Sequence, residues 1–90
     1  MKIKNGASAG TMESSDAYVE IEPSENGLTL EVNSVVEKQF GEKIKAAASE
    51  VLSEYGVEGA SVRIVDRGAL ECVIRARVET AILRAKGDLQ

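Results

Sequence analysis

The feature that most narrows the possible folds is a change in the spacing of apolar residues near position 34. Val19 and Ile21 alternate with Tyr18, Glu20 and Glu22, and Leu28, Leu30 and Val32 alternate with Thr29, Glu31 and Asn33. A period of two is the mark of strands with one buried face. The PSENG between them predicts a hairpin turn, with Pro23 ending one strand and Asn26-Gly27 supplying residues that accept positive φ. Beyond Asn33 the period lengthens: Val36, Phe40, Ile44, Ala47, Val51 and Tyr55 recur every three or four residues. That spacing predicts a helix over 35–55, opened by a capping box from Ser34 to Glu37 and closed at Gly56. Gly41 inside it weakens the helix.

The second half follows the same logic. Val62 and Ile64 alternate with Ser61 and Arg63, the DRG of 66–68 makes a turn, and Leu70, Cys72 and Ile74 alternate with Glu71 and Arg75. This predicts a second hairpin. Val78, Ala81, Ile82 and Ala85 then fit a helical stripe, so the strand is expected to pass into a short helix near Arg77 that ends by Gly87. The expected fold is α+β: a two-layer ββαββα chain, a mainly antiparallel sheet with two helices on one face. The first 16 residues carry little apolar periodicity and are expected to form a flexible N-terminal arm (1–16) ahead of a single domain (17–90). A chain of 90 residues suits one domain, and its core must be small.

Composition removes several functions. Acidic side chains outnumber basic ones 15 to 11 and aromatics are 3% of the chain, which disfavours nucleic-acid binding, since phosphate neutralisation needs a basic face and base stacking needs aromatics. No apolar run reaches the roughly 20 residues that span a bilayer, and MKIKNGASAG lacks the core of a signal peptide, so the expected location is the cytoplasm. The single cysteine, Cys72, cannot form an internal disulfide. With no histidine there is no Ser-His or Cys-His pair and no imidazole zinc site. Neither glycine-rich phosphate-loop pattern occurs.

Cys72 shares its period-two face with Leu70 and Ile74 and is expected to be a small buried hydrophobe. Glu20, Glu22 and Glu31 occupy outward strand positions and are expected to be solvated. Arg63, Arg67, Arg75, Arg77 and Arg84 cluster late in the chain, either as a charged solvent face or as a docking surface for an acidic partner or an anionic group. Ser14 and Ser15 lie between Glu13 and Asp16, which raise the local negative charge without being good bases at neutral pH. A functional hydroxyl here must therefore be acted on by another protein; otherwise SSD is a polar loop.

Three separated segments, AGTMESSD, SVVEKQFG (34–41) and DRGALECVIRARVETAI (66–82), resemble the citrate lyase acyl carrier proteins, the gamma subunits of that complex, over nearly the whole chain. The resemblance implies a covalently attached 2'-(5''-phosphoribosyl)-3'-dephospho-CoA, joined by a phosphodiester to the serine of G-T-x-E-S, which is Ser14. Ser15 stands where a small residue is expected and adjoins the site. The implied partners are an alpha subunit that exchanges acetyl for citryl on the group's thiol, a beta subunit that cleaves the citryl thioester to oxaloacetate, and a transferase that installs the group. The chain itself would be a non-catalytic carrier. The alternatives are a malonate decarboxylase-type acyl carrier and an unmodified module that joins subunits.

Overall fold

A computed structural model describes residues 1–34 and 38–87. Four strands and two helices follow in the order β1 (Ala7–Gly10), β2 (Ala17–Pro23), β3 (Leu28–Ser34), α1 (Lys38–Glu54), β4 (Ala60–Asp66) and α2 (Glu71–Ala85). The sheet is open, in the order β1-β2-β4-β3, with β1-β2 and β2-β4 antiparallel and β3-β4 parallel. It is mainly antiparallel, and the α+β class agrees with the expectation from sequence.

Period two does its work in β2 and β4. Ala17, Val19 and Ile21 interleave with Ala60, Val62 and Ile64 on the buried face, each no more than 2% exposed. Helix α2 covers β1 and β2, α1 lies against β3, and the two helices pack on each other. Leu52 on α1 and Ile74, Val78 and Ile82 on α2 complete the core. Fully burying a side chain of this size contributes about 1.5–3 kcal/mol.

Helix α1 ends as expected: the Gly56 N–H donates to the Ser53 carbonyl and Val57 N–H to that of Leu52, a Schellman closure. Its buried stripe runs through Ile44, Ala48, Val51 and Leu52, and Phe40 is 44% exposed. The expected capping box and Val36 involve residues outside those described, although the Ser34 hydroxyl donates to Asp66 Oδ2 at 2.9 Å.

Three expectations are corrected. The PSENG turn does not close a hairpin, because β4 lies between β2 and β3, with Pro23 and Leu28 both opposite Ala60. Strand β4 buries its inward residues along its whole length, Ala60, Val62, Ile64 and Asp66, and gains from having two neighbours; β3 reaches it in parallel through the α1 crossover. The second hairpin is absent as well. Leu70 precedes α2, which already begins at Glu71, since Ile74, Val78, Ala81, Ile82 and Ala85 form one buried helical stripe that outweighs three alternating residues. The helix does end before Gly87. Finally, residues 1–16 are only partly an arm. Ala7–Gly10 pairs with Tyr18–Ile21, and Ile3 and Ala9 are 3% and 4% exposed. The small side chains of ASAG fit closely under α2 yet give almost no hydropathy signal. Among the described residues no helix is long and apolar enough to cross a membrane.

Candidate functional site

The two serines lie in the six-residue connection between β1 and β2. Gly10 turns the chain into it at φ 95°, a conformation that L side chains resist, and a Cβ there would stand 1.8 Å from the Ala17 carbonyl oxygen. Thr11 then acts twice. Its Oγ1 accepts a hydrogen bond from the Glu13 N–H at 3.2 Å and donates to Asp16 Oδ2 at 2.6 Å. Glu13 in turn accepts the Asp16 N–H, and Thr11 N–H donates to the Ala17 carbonyl. The sequence G-T-x-E-x-x-D is thus a self-bonded turn.

Distant elements fasten it. Arg77, on α2, donates from Nε to Asp16 Oδ1 at 3.1 Å and from Nη2 to Oδ2 at 2.9 Å, a two-pronged charge-assisted pair. Arg67, just past β4, accepts the Ser15 N–H at 2.8 Å and donates its own N–H to the Asp16 carbonyl at 2.9 Å. Asp16 is held at about 2, well below its ordinary 3.8, first by the Thr11 hydroxyl, then by Arg77 and the Ala17 N–H.

Ser14 is exposed at the tip of this turn, and its hydroxyl has no partner among the described residues. Ser15 is also exposed but is more constrained: its φ is 66° and its N–H is committed to Arg67. No histidine, lysine or carboxylate touches either hydroxyl among the described residues, so the turn displays a serine without activating it.

The other candidates disperse. Cys72 is exposed on the first turn of α2, a correction to the expected burial; its alternation with Leu70 and Ile74 is accidental in a helix, and only Ile74 faces inward. Glu20 lies on the outer face of the sheet, bonded to Arg63 at 2.6 Å, and Glu22 and Glu31 are exposed. The late arginines are mostly structural: Arg75 joins Glu50 and Glu71, Arg77 holds the turn, and Arg84 donates to the Ser8 carbonyl on β1. In the sequence Arg77 stands out only as one of the late arginines and Asp16 only as a neighbour of the serines, and Thr11 does not stand out by itself. The polar spacing T-x-E-x-x-D was the available signal. Asp66, 2% exposed, shapes the neighbouring turn by accepting the Gly68 and Ala69 N–H groups. A cleft of about 310 Å³ between the helices, rimmed by Phe40 and Leu70, does not include Ser14.

The fold defines a class with a solved example. It matches a chain in the crystal structure of a Pseudomonas malonate decarboxylase hetero-tetramer in complex with malonate, with a TM-score of 0.81 over 94% of this chain and 88% of that one. At 22% identity the likeness is one of fold. A family model described as malonate decarboxylase delta subunit (MdcD) matches residues 4–85. Sequence relatives are nearer. The citrate lyase acyl carrier protein of Haemophilus influenzae (strain PittEE) is 52% identical over 98% of this chain and 92% of its own. That of Pectobacterium atrosepticum is 49% identical over 100% and 94%. The chain belongs to the citrate lyase acyl carrier protein family.

Proposed function

We propose that this chain is the acyl carrier subunit of a citrate lyase, with Ser14 as the attachment point of its prosthetic group. Membership of an acyl carrier family implies a covalently attached group; its identity as 2'-(5''-phosphoribosyl)-3'-dephospho-CoA is the finer reading. The observation that carries the assignment is the turn itself. Every backbone and side-chain bond that holds residues 11–16 is made by Ser14's neighbours, so its Oγ can be esterified without breaking one. The fit is therefore good. When attached, the group supplies the thiol for acyl transfer; the chain supplies an exposed hydroxyl, a rigid base for the tether and a high local concentration.

On this reading residues 17–90 form the carrier domain and 1–16 bring the attachment serine, with β1 as the splint that joins the two. The partners are the alpha and beta subunits and the installing transferase, in the cytoplasm. Assembly into a multi-subunit enzyme is supported by the carrier names of the relatives and by the hetero-tetramer of the fold neighbour.

Peptide mass mapping of residues 1–20 from the native complex tests the site. The prosthetic-group mass on Ser14, lost in Ser14→Ala and retained in Ser15→Ala, is the expected result. An unmodified peptide, or a modified Ser14→Ala chain, refutes the assignment. The malonate decarboxylase reading has the family-model match in its favour. Turnover of malonate and not citrate by the loaded complex would select it.

A further inference from the structure

The arginines of the second half are almost all spoken for. Arg63 binds Glu20, Arg75 binds Glu50 and Glu71, Arg77 binds Asp16, and Arg84 donates to the Ser8 carbonyl. Arg67 differs. It is exposed, and its guanidinium has no hydrogen-bond or ion-pair partner among the described residues.

Its backbone, by contrast, is fixed against the serine turn by the two bonds with Ser15 and Asp16. The two bonds reach successive residues rather than one facing residue, and the 2.8 Å bond from Ser15 N to the Arg67 carbonyl oxygen keeps those two Cα atoms within about 7 Å. The next Cα along the chain is about 3.8 Å further, so the Ser14 Cα lies within about 11 Å of that of Arg67. A long arginine side chain and a phosphorylated serine easily meet across that gap. Asp16 does not compete for Arg67, because Arg77 and Thr11 already occupy both of its carboxylate oxygens.

We propose that Arg67 is an anion-binding residue for the phosphate ester carried on Ser14. It rests on the reading of Ser14 as the attachment site and adds a function to it: Arg67 grips the phosphate at the root of the tether and restricts the directions in which the tether leaves the turn. Guanidinium suits the task, being permanently charged and matched to two phosphate oxygens at once. The DRG turn is built to hold it there, with Asp66 taking the Gly68 and Ala69 N–H groups and leaving both Arg67 backbone groups to the serine turn.

A full-length chain carrying phosphoserine at position 14 tests this without the prosthetic group or partners. The phosphate's second ionisation, near pH 6 when unperturbed, is followed by phosphorus NMR. In the parent chain the midpoint is expected to lie about 0.2–0.7 pH units below that in Arg67→Ala and Arg67→Gln, the shift an exposed ion pair supplies. Arg67→Lys recovers part of it, and the difference shrinks in high salt. Equal midpoints in the parent chain and both neutral variants, with the amide spectrum showing each folded, overturn the proposal. Mass mapping that finds the native group on another residue overturns the Ser14 reading instead, and leaves the midpoints as they are.

Discussion

Replacing Gly10 by alanine addresses the turn at its hinge. Two costs combine. At φ 95° a non-glycine residue carries about 1–3 kcal/mol of backbone strain. The new Cβ would also stand 1.8 Å from the Ala17 oxygen, so β1 and β2 must part at their loop end. That movement loses the Thr11 N–H to Ala17 carbonyl bond, of order 0.5–1.5 kcal/mol, and disturbs a residue that is wholly buried. The total is about 2–4 kcal/mol, a large share of the 5–15 kcal/mol that holds a domain of this kind. Gly27→Ala is the control: its φ is 86°, but nothing lies within 4 Å of the added Cβ, so it meets the strain alone. In urea unfolding with a slope of about 1.5 kcal/mol/M, Gly10→Ala is expected to lower the midpoint by roughly 1.5–2.5 M, and Gly27→Ala by about 1 M. Equal losses in the two variants would refute the idea that contact with Ala17 dictates the glycine.

Further predictions follow from the same geometry. Ile64→Ala, at the centre of β4, is expected to cost about 2–5 kcal/mol in the same unfolding experiment, and a loss below 1 kcal/mol would contradict its central packing. Asp16 titrates at about 2 in the fold and near 3.8 when unfolded, so its ionised form stabilises the chain above the higher value and that contribution disappears as pH falls through the lower one. Thr11→Val removes the largest cause of the depression, and carboxyl-carbon NMR should find Asp16 moved up from 2 toward 3.8; an unmoved titration would mean that the hydroxyl is not the main cause. Cys72 should react in full with a thiol reagent in the native protein, whereas a thiol released only by denaturant would place it back in the core.

Local pattern made β2, β3, β4 and most of α1 readable because each carries its period within its own residues. Pairing was another matter. Pro23 and Asn26-Gly27 look like a hairpin turn, and what prevents the hairpin is the gain from seating Val62 and Ile64 between two strands, a non-local preference. Leu70, Cys72 and Ile74 show the limit of short alternation, since two of the three are exposed once the helix forms. At the site, the motif around Ser14 was visible, but what holds it was not: Arg77 is 61 residues from Asp16 and resembles any other surface arginine in sequence.

The supports of the serine turn also have an order in time. A chain is made from its N-terminus, so Thr11 and Asp16, which bond each other, are synthesised well before Arg67, Arg77 and Arg84. Strand β1 gains its cover from α2, the last of the described elements in chain order. A chain lacking residues 71–85 keeps the Arg67 backbone bonds to the serine turn but loses the Arg77 and Arg84 contacts and the cover over β1. The turn in its finished form thus depends on residues made long after the serine it displays.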